Sequence, residues 1–480
     1  MTDKRRLTTE EKALKINLTR NLYGCFAEIG AGQEVAANLF KAGGASNTIA
    51  YTHSAYDMKV SDSFYGACTK YVCEERLVQM LDKEYARLNE TLSEKAESTR
   101  LFAFANTVEA LNYHHTNQGH GWIGLRFQLA VGAVPNDIVL HVRMHDYSHS
   151  RQQEALGILG INLLHAAYFV KNDINEFLFA LTHRLPRERI EVDMLRVSGP
   201  ELDRYDNRIL ALNLVKNGLT DATLFDQSGR VLQPNSALHK KNVLLTRGRF
   251  RPMTKVHVDM IRGGTEQYLA EPDVDKENVV SILELTLKDL TAEGRITDSD
   301  FVDRAELLGS MGYTVMISNY LKHYKMIEYL SGITKGSKIG VLLGIYNLQT
   351  IFDEKYYDTL NGGLLEAFGR GFGLNVKMYV YPAIGESGNI YTLDEFKVED
   401  HLTGLLDYMR KTNKVAAITQ YDQDILHVLS DDVLLKIQKG QTDWENDVPE
   451  DVMRAIKYFG LFGYKVEARV NAPVAQPANS

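Results

Sequence analysis

The chain of 480 residues has little cysteine, and its N-terminal residues do not predict a signal for export. Its three cysteines, Cys25, Cys68 and Cys73, are too few and odd in number for a disulfide framework. Cys68 and Cys73 also have no second pair that would complete a zinc site. The first twelve residues are charged and have no apolar segment, unlike a secretory signal. We therefore expect reduced thiols and a cytoplasmic protein.

Basic charge and long apolar runs are also scarce. Lys and Arg number 54 against 62 Asp and Glu, a formal net charge of −8. This balance disfavours a broad surface for long nucleic acid or for an anionic membrane. The longest apolar stretch, residues 155–170, contains Asn162 and His165 and is shorter than the roughly 20 residues that span a bilayer. Neither partner is expected.

The chain is 44% apolar and 24% charged, which is typical of a soluble globular protein. Its length predicts two or three domains. We predict a mixed α/β domain over residues 1–235 and a Rossmann-like, doubly wound parallel sheet over 236–467. The second prediction follows from alternating strand and helix patterns, with helices at about 276–290, 299–311 and 348–368. The tail, residues 468–480, is rich in Ala, Pro and Asn and is predicted to be disordered.

Residues 242–261 combine a buried strand, a loop with glycine and proline, and the start of a helix. Gly248 lets the backbone approach a ligand without a Cβ clash, and Pro252 restrains the loop. The helix N-terminus offers N–H groups and a partial positive charge to phosphate. Thr254 and His257 share one face of the first turn and can each donate a hydrogen bond. The segment therefore predicts a nucleotide-binding turn.

In this segment the chain resembles the nucleotidylyltransferases of the HIGH superfamily. Gly248, Phe250, Pro252, Thr254 and His257 fall on their first motif, Gly-x-Phe-x-Pro-x-(Thr/His)-x-Gly-His. The resemblance implies chemistry like that of NMN or nicotinate-nucleotide adenylyltransferases, in which AMP passes from ATP to the phosphate of a mononucleotide. It implies ATP and Mg²⁺ as cofactors and a small nucleotide as partner.

The resemblance also assigns roles to residues. Thr254 and His257 would be catalytic, contacting the ATP phosphates and stabilising the transferring α-phosphate. The implied nucleotide-binding residues are Gly248, Phe250, Pro252, Lys255, Ser318 and Asn319. Ser318 and Asn319 belong to a partial match with the family's second motif, Ile-Ser-x-Thr-x-x-Arg, in which His323 stands where the family has arginine. Val256 stands where the first motif has glycine.

Other interpretations of the sequence remain open. The turn at Gly248 can be an ordinary crossover between strand and helix. The chain can also be a self-assembling scaffold with a degenerate nucleotide-binding domain, because 25 tyrosines and 18 phenylalanines are available for interfaces. A homo-oligomer is expected in either case. We predict no metal site.

Two features of the first half add further alternatives. Glu28, Gly30 and Gly32 resemble the first motif of SAM-dependent methyltransferases, with the acid facing the cofactor. On the strand predicted at 137–145, His141 and Arg143 lie on one face, which is either a plain polar sheet face or an anion-binding surface.

Overall fold

The computed structural model describes residues 7–170, 173–291 and 298–465. The chain forms two compact units, one of Met1–Leu224 with Arg230–Pro234 and one of Phe225–Gly229 with Asn235–Ser480. The tail predicted to be disordered, 468–480, lies outside the described residues. No helix in the described ranges has both the length and the apolar character to cross a bilayer.

The first unit is built on a six-stranded mixed sheet. Its strands are β1 (Leu22–Gly30), β2 (Ile49–His53), β3 (Arg100–Glu109), β4 (His120–Phe127), β5 (Asn136–Met144) and β6 (Ile190–Ser198). They lie in the order β2-β1-β3-β4-β5-β6. The first three are parallel and the last three pair antiparallel, so this unit has the predicted mixed character.

Helices cover both faces of this sheet. They are α1 (Thr9–Asn17), α2 (Glu34–Ala42), α3 (Met58–Tyr65), α4 (Glu74–Thr91), α5 (Ser93–Ala96), α6 (His149–Phe169), α7 (Ile174–Leu181) and α8 (Asn207–Lys216). Apolar residues of α1, α2, α6, α7 and α8 form one core with one face of the sheet, whereas α4 packs on β3 and β4. Along the chain, α8 is followed by β7 (Ala222–Phe225), β8 (Val231–Leu232) and α9 (Pro234–Leu238).

The second unit alternates strands and helices. Its strands are β9 (Asn242–Arg247), β10 (Val279–Thr286), β11 (Thr314–Ser318), β12 (Ile339–Gly344), β13 (Val376–Tyr381), β14 (Ala383–Ile384), β15 (Ile390–Tyr391) and β16 (Val415–Ala417). Its helices are α10 (Lys255–Leu269), α11 (Leu287–Thr291), α12 (Asp298–Ser310), α13 (His323–Thr334), α14 (Ile345–Ile351), α15 (Gly363–Phe372), α16 (Thr403–Lys411), α17 (Ser430–Gln438) and α18 (Glu450–Phe459).

Six parallel strands of this unit lie in the order β11-β10-β9-β12-β13-β16. Counted along the chain from β9, this is 3-2-1-4-5-6, the order of a Rossmann doubly wound sheet. The α/β fold class expected from the sequence is confirmed. The winding direction reverses between β9 and β12, and in open α/β sheets ligands bind beyond the carboxyl ends of the strands at such a point.

Two predicted helices of the second unit are wrong. The segment predicted as a helix over 276–290 contains the buried strand β10, because the β-branched residues Val279, Val280 and Ile282 suit a strand. The single helix predicted over 348–368 is two helices, α14 and α15. The second begins at Gly363, whose φ of +54° a residue with a side chain rarely adopts.

Candidate functional site

The turn between β9 and α10 is closely packed. Phe250 is fully buried and its ring lies over Gly248, where an added Cβ would come within 2.9 Å of the ring. The same ring contacts the imidazole of His257 edge-on, with 5.3 Å between centroids. Glycine at position 248 is therefore needed to admit a side chain of the same loop. The sequence predicted instead that it admits a ligand.

Thr254 and His257 are brought together, as their spacing predicts. Thr254 is the N-cap of α10, and its hydroxyl and backbone form a reciprocal capping box with His257. The backbone N–H of Thr254 donates to Nδ1 of His257 at 3.1 Å. Because Nδ1 accepts this bond, the proton of the neutral ring is on Nε2. Burial lowers the pKa of His257 to about 4, which keeps the ring neutral at physiological pH.

Much of the hydrogen-bonding capacity at the start of α10 is already used. The backbone N–H of Lys255 donates to the carbonyl of Asp447 at 3.0 Å. The carbonyl of buried Pro252 accepts from the hydroxyl of Ser430 at 3.0 Å. The side chain of Lys255 is exposed. A phosphate group at this helix end would meet the Lys255 side chain. It would have to compete with the Asp447 carbonyl for the backbone N–H of Lys255.

A second cluster lies at the carboxyl ends of β9, β10 and β11. The guanidinium of Arg247 binds the carboxylate of Glu284 through two hydrogen bonds of 2.8 Å, and it also donates to the carbonyl of Tyr320 at 2.9 Å. Glu284 is fully buried. The hydroxyl of Ser318 donates to the same carboxylate at 2.5 Å, whereas Asn319 is exposed. The predicted residue Ser318 is thus part of a buried ion-pair network.

Sequence reasoning missed the centre of that network. The sequence predicts a helix over the segment that contains Glu284. It therefore does not indicate that Glu284 lies next to Arg247. His323, which stands in the position of the second motif's arginine, has its pKa lowered to about 3 by burial and by the charge of Arg247. The guanidinium of Arg247 therefore reaches the second-motif segment from β9.

A third network joins α10 to the end of β13 and to the segment that follows β16. Asp259 is buried and accepts from the hydroxyl of Tyr381 at 2.6 Å and from the backbone N–H of Asp422 at 2.9 Å. Burial opposes ionisation of Asp259, but the hydrogen bonds from Tyr381 and Arg262 outweigh it and lower the pKa. With Asp259 and Glu284 both engaged inside the protein, neither carboxylate is left for a metal ion.

The polar face of the first unit's sheet carries a buried chain of hydrogen bonds. Nδ1 of His141 lies 2.6 Å from Asp193, and its Nε2 lies 3.1 Å from Nδ1 of His120. A bulge in β6 shifts the register with β5 beside His141 and brings Asp193 to this face. Arg143 lies 2.7 Å from Glu191. The predicted anion-binding residues His141 and Arg143 are thus each paired with an acid.

Glu28 does not face an open crevice as the methyltransferase motif requires. It is buried, and its carboxylate accepts the backbone N–H groups of Val35 and Ala36 at the start of α2. Burial raises its pKa to about 7, and those two bonds act in the opposite direction. The carboxylate therefore holds a helix N-terminus in place.

One group of side chains in the described ranges has the spacing of metal ligands. Glu354, Glu399 and His401 place one ligand atom each within 4.8 Å of the others, and all three are exposed. Exposed acidic groups are common without a metal ion, and these residues belong to none of the clusters described above.

No protein-family model and no curated protein matches the chain. Among solved structures it is similar to the competence/damage-inducible protein CihA from Agrobacterium tumefaciens, with 20% identity over 33% of this chain and 94% of that one, at a TM-score of 0.24. It is also similar to a competence or damage-inducible protein from Enterobacter asburiae, with 14% identity over 34% of this chain and 99% of that one, at a TM-score of 0.25.

Proposed function

We propose that the second unit binds ATP at the carboxyl edge of its sheet and transfers AMP to the phosphate of a mononucleotide, with release of pyrophosphate. The observation that carries the proposal is topological. The turn of Gly248–His257 follows β9, the first strand of a 3-2-1-4-5-6 sheet, beside the point where the winding reverses.

The chain's own groups suit phosphate recognition in three ways. The capping box fixes the tautomer of His257, so Nε2 carries a hydrogen that can be donated to a phosphate oxygen. The exposed ammonium of Lys255 adds a positive charge at the first residue of α10. The partial positive charge of the helix N-terminus acts in the same direction.

Magnesium would come with the nucleotide. Protein sites commonly hold Mg²⁺ through substrate phosphates and one or two carboxylates. Here Asp259 and Glu284 are engaged by Tyr381 and Arg247. The chemistry that Mg²⁺ supplies is neutralisation of charge on the leaving pyrophosphate. The protein would position the α-phosphate through His257, Thr254 and Lys255.

The test is calorimetric titration of the full chain with Mg²⁺–ATP, followed by an assay of pyrophosphate release with NMN or nicotinate mononucleotide. Lys255→Gln should weaken ATP binding about tenfold, as expected for loss of a charged contact. Lys276→Gln, at another exposed lysine of the same unit, should bind normally. No binding at millimolar ATP, or equal binding by both variants, would overturn the proposal.

A second candidate is a self-assembling protein with a degenerate nucleotide-binding domain. The observation that favours it is the engagement of the α10 N–H groups within the chain, those of Lys255 by Asp447 and of His257 by Thr254. This candidate predicts a concentration-dependent oligomer by light scattering and no response to ATP. A monomer at high concentration that binds ATP would exclude it.

A further inference from the structure

The first unit contains a buried lysine with no acidic partner. Lys12, on α1, is only 5% exposed. Its ammonium donates to Oδ1 of Asn162 at 2.6 Å and lies 3.3 Å from Nδ1 of His183. Neither contact is with an acid, and no carboxylate of the described residues contacts the ammonium. Burial and the charge of Arg184 lower the pKa of Lys12 to about 8. A buried cation is costly unless an anion compensates it.

Asn162 holds this arrangement in place. Its amide nitrogen donates to the carbonyls of Leu181 and His183 at 3.0 and 2.8 Å, so its oxygen must face Lys12. The turn that follows α7 is thereby tied to α6. Arg184 in this turn has a φ of +66°, an uncommon conformation for a residue with a side chain. The fold thus keeps Lys12 and Arg184 close together at the expense of backbone strain.

A cleft of about 480 Å³ adjoins this cluster, with Arg184 in its wall. The wall of the cleft also includes Glu34, Lys41, Glu154 and Arg189. Both acids are already paired, Glu34 with Lys41 at 3.3 Å and Glu154 with Arg189 at 2.9 Å. Arg184 is exposed and makes no ion pair within the described chain. Its charge and that of Lys12 therefore remain uncompensated.

We infer that this cleft binds the phosphate group of a small phosphorylated molecule. Two uncompensated positive charges match a phosphate, which carries about −1.5 to −2 at neutral pH. The volume lies within the roughly 300–1,000 Å³ range of small-molecule sites. Arg184 contacts the phosphate from the wall of the cleft. The buried ammonium of Lys12 does not line the cleft, but it adds a second positive charge near Arg184. Asn38 and Thr9 line the same cleft and supply hydrogen bonds to the rest of the ligand.

The experiment is calorimetric titration of the full chain with inorganic phosphate and with ribose 5-phosphate, each compared with acetate and chloride at equal ionic strength. Both phosphate compounds should bind saturably, and acetate and chloride should not. Tighter binding of ribose 5-phosphate than of free phosphate would assign the site to a phosphate ester. Tighter binding of free phosphate than of ribose 5-phosphate would assign the site to the free ion. It would overturn the inference that the ligand is a phosphorylated molecule.

Three variants locate the site. Arg184→Gln, at an exposed position, should weaken phosphate binding about tenfold or more. Lys12→Met should weaken it as well, while raising the melting temperature of the free protein because a buried uncompensated charge is removed. Arg151→Gln is the matched control, since Arg151 lies on α6, is 62% exposed and pairs with Asp146. Equal phosphate affinity in the wild type and Arg184→Gln would overturn the inference. Loss of phosphate binding in Lys255→Gln alone would also overturn it, because the phosphate would then lie on the second unit.

Discussion

The guanidinium of Arg247 and the carboxylate of Glu284 form a buried pair joined by two hydrogen bonds of 2.8 Å. The pair links adjacent strands, β9 and β10, at the edge of the sheet where a ligand is expected. Ser318 on the next strand donates to the same carboxylate. The carboxyl ends of three parallel strands are thus held by one ionic network, and the loop that starts at Gly248 leaves the sheet directly beside it.

Breaking this pair should destabilise the second unit strongly. Arg247→Met leaves the Glu284 carboxylate buried without its cation, which costs about 3–5 kcal/mol of the free energy of unfolding. The double variant Arg247→Met with Glu284→Leu should lose less, because no charge stays buried. Urea unfolding measures both. Arg370→Met, which breaks the surface pair of Arg370 with Glu328, is the control and should change stability little. A loss in the double variant as large as in the single one would contradict the account.

Loss of the α10 cap should have a structural and a functional effect that can be separated. Thr254→Ala and Thr8→Ala each remove the N-cap of a capping box, in α10 and in α1 respectively. Each should cost about 1 kcal/mol in denaturant unfolding. Only Thr254→Ala should also weaken Mg²⁺–ATP binding. If the two variants bind ATP equally well, Thr254 has only a structural role.

Stability should fall as the pH is lowered from about 6.5 towards 4. His120, His165 and His257 have their pKa values lowered to about 4, in each case chiefly by burial, whereas an unfolded histidine titrates near 6.5. Between these values the unfolded chain binds more protons than the folded one. The contribution of these neutral histidines to the free energy of unfolding is therefore complete above about pH 6.5. It is lost as the pH falls through their pKa values in the folded protein.

His257→Gln tests one of these contributions. Glutamine at this position can preserve the capping box, so the stability at pH 7 should change little. The loss of stability between pH 6.5 and 4 should be smaller than in the wild type, as measured by urea unfolding across this range. His114→Gln, at an exposed histidine, is the control variant. Identical profiles for the wild type and His257→Gln would show that the ring is not held neutral by burial.

The ionisation of Glu28 should change the stability with pH in the opposite direction. Its pKa is raised to about 7 in the folded protein, chiefly by burial, against 4.5 as the ordinary value. The folded protein therefore binds the extra proton, and the stabilisation present below about pH 4.5 is lost as the pH rises through 7. Glu28→Gln should be more stable relative to the wild type at pH 8.5 than at pH 5.5. Thermal melting at the two pH values measures the difference, and a constant difference would contradict the raised pKa.

The sequence is sufficient for the α/β class and for four of the six parallel strands of the second unit. β9, β11, β12 and β13 are apolar runs bounded by turn residues, and this pattern survives in the fold. The sequence predicts a helix in place of β10 because a buried strand with Glu284 near its end has no clear alternation. Without β10, the pair of Arg247 and Glu284 could not be predicted.

The candidate sites were only partly visible for related reasons. The contact between Thr254 and His257 is local and follows from their spacing in a helix. The contact of Asp193 with His141 depends on a bulge, and the effect of the Arg184 charge on Lys12 depends on the packing of distant segments. Such long-range register has no signature in a single sequence. Nor does the sequence indicate that Phe250 covers Gly248.

The most direct test of the central claim is a crystal structure of the full chain grown with Mg²⁺–ATP. We predict density for the triphosphate beside the turn of Gly248–His257, with Nε2 of His257 within hydrogen-bond distance of a phosphate oxygen and the Asp447 carbonyl displaced from the Lys255 N–H. A structure at saturating ATP with no nucleotide at this turn, and with that hydrogen bond intact, would contradict the account.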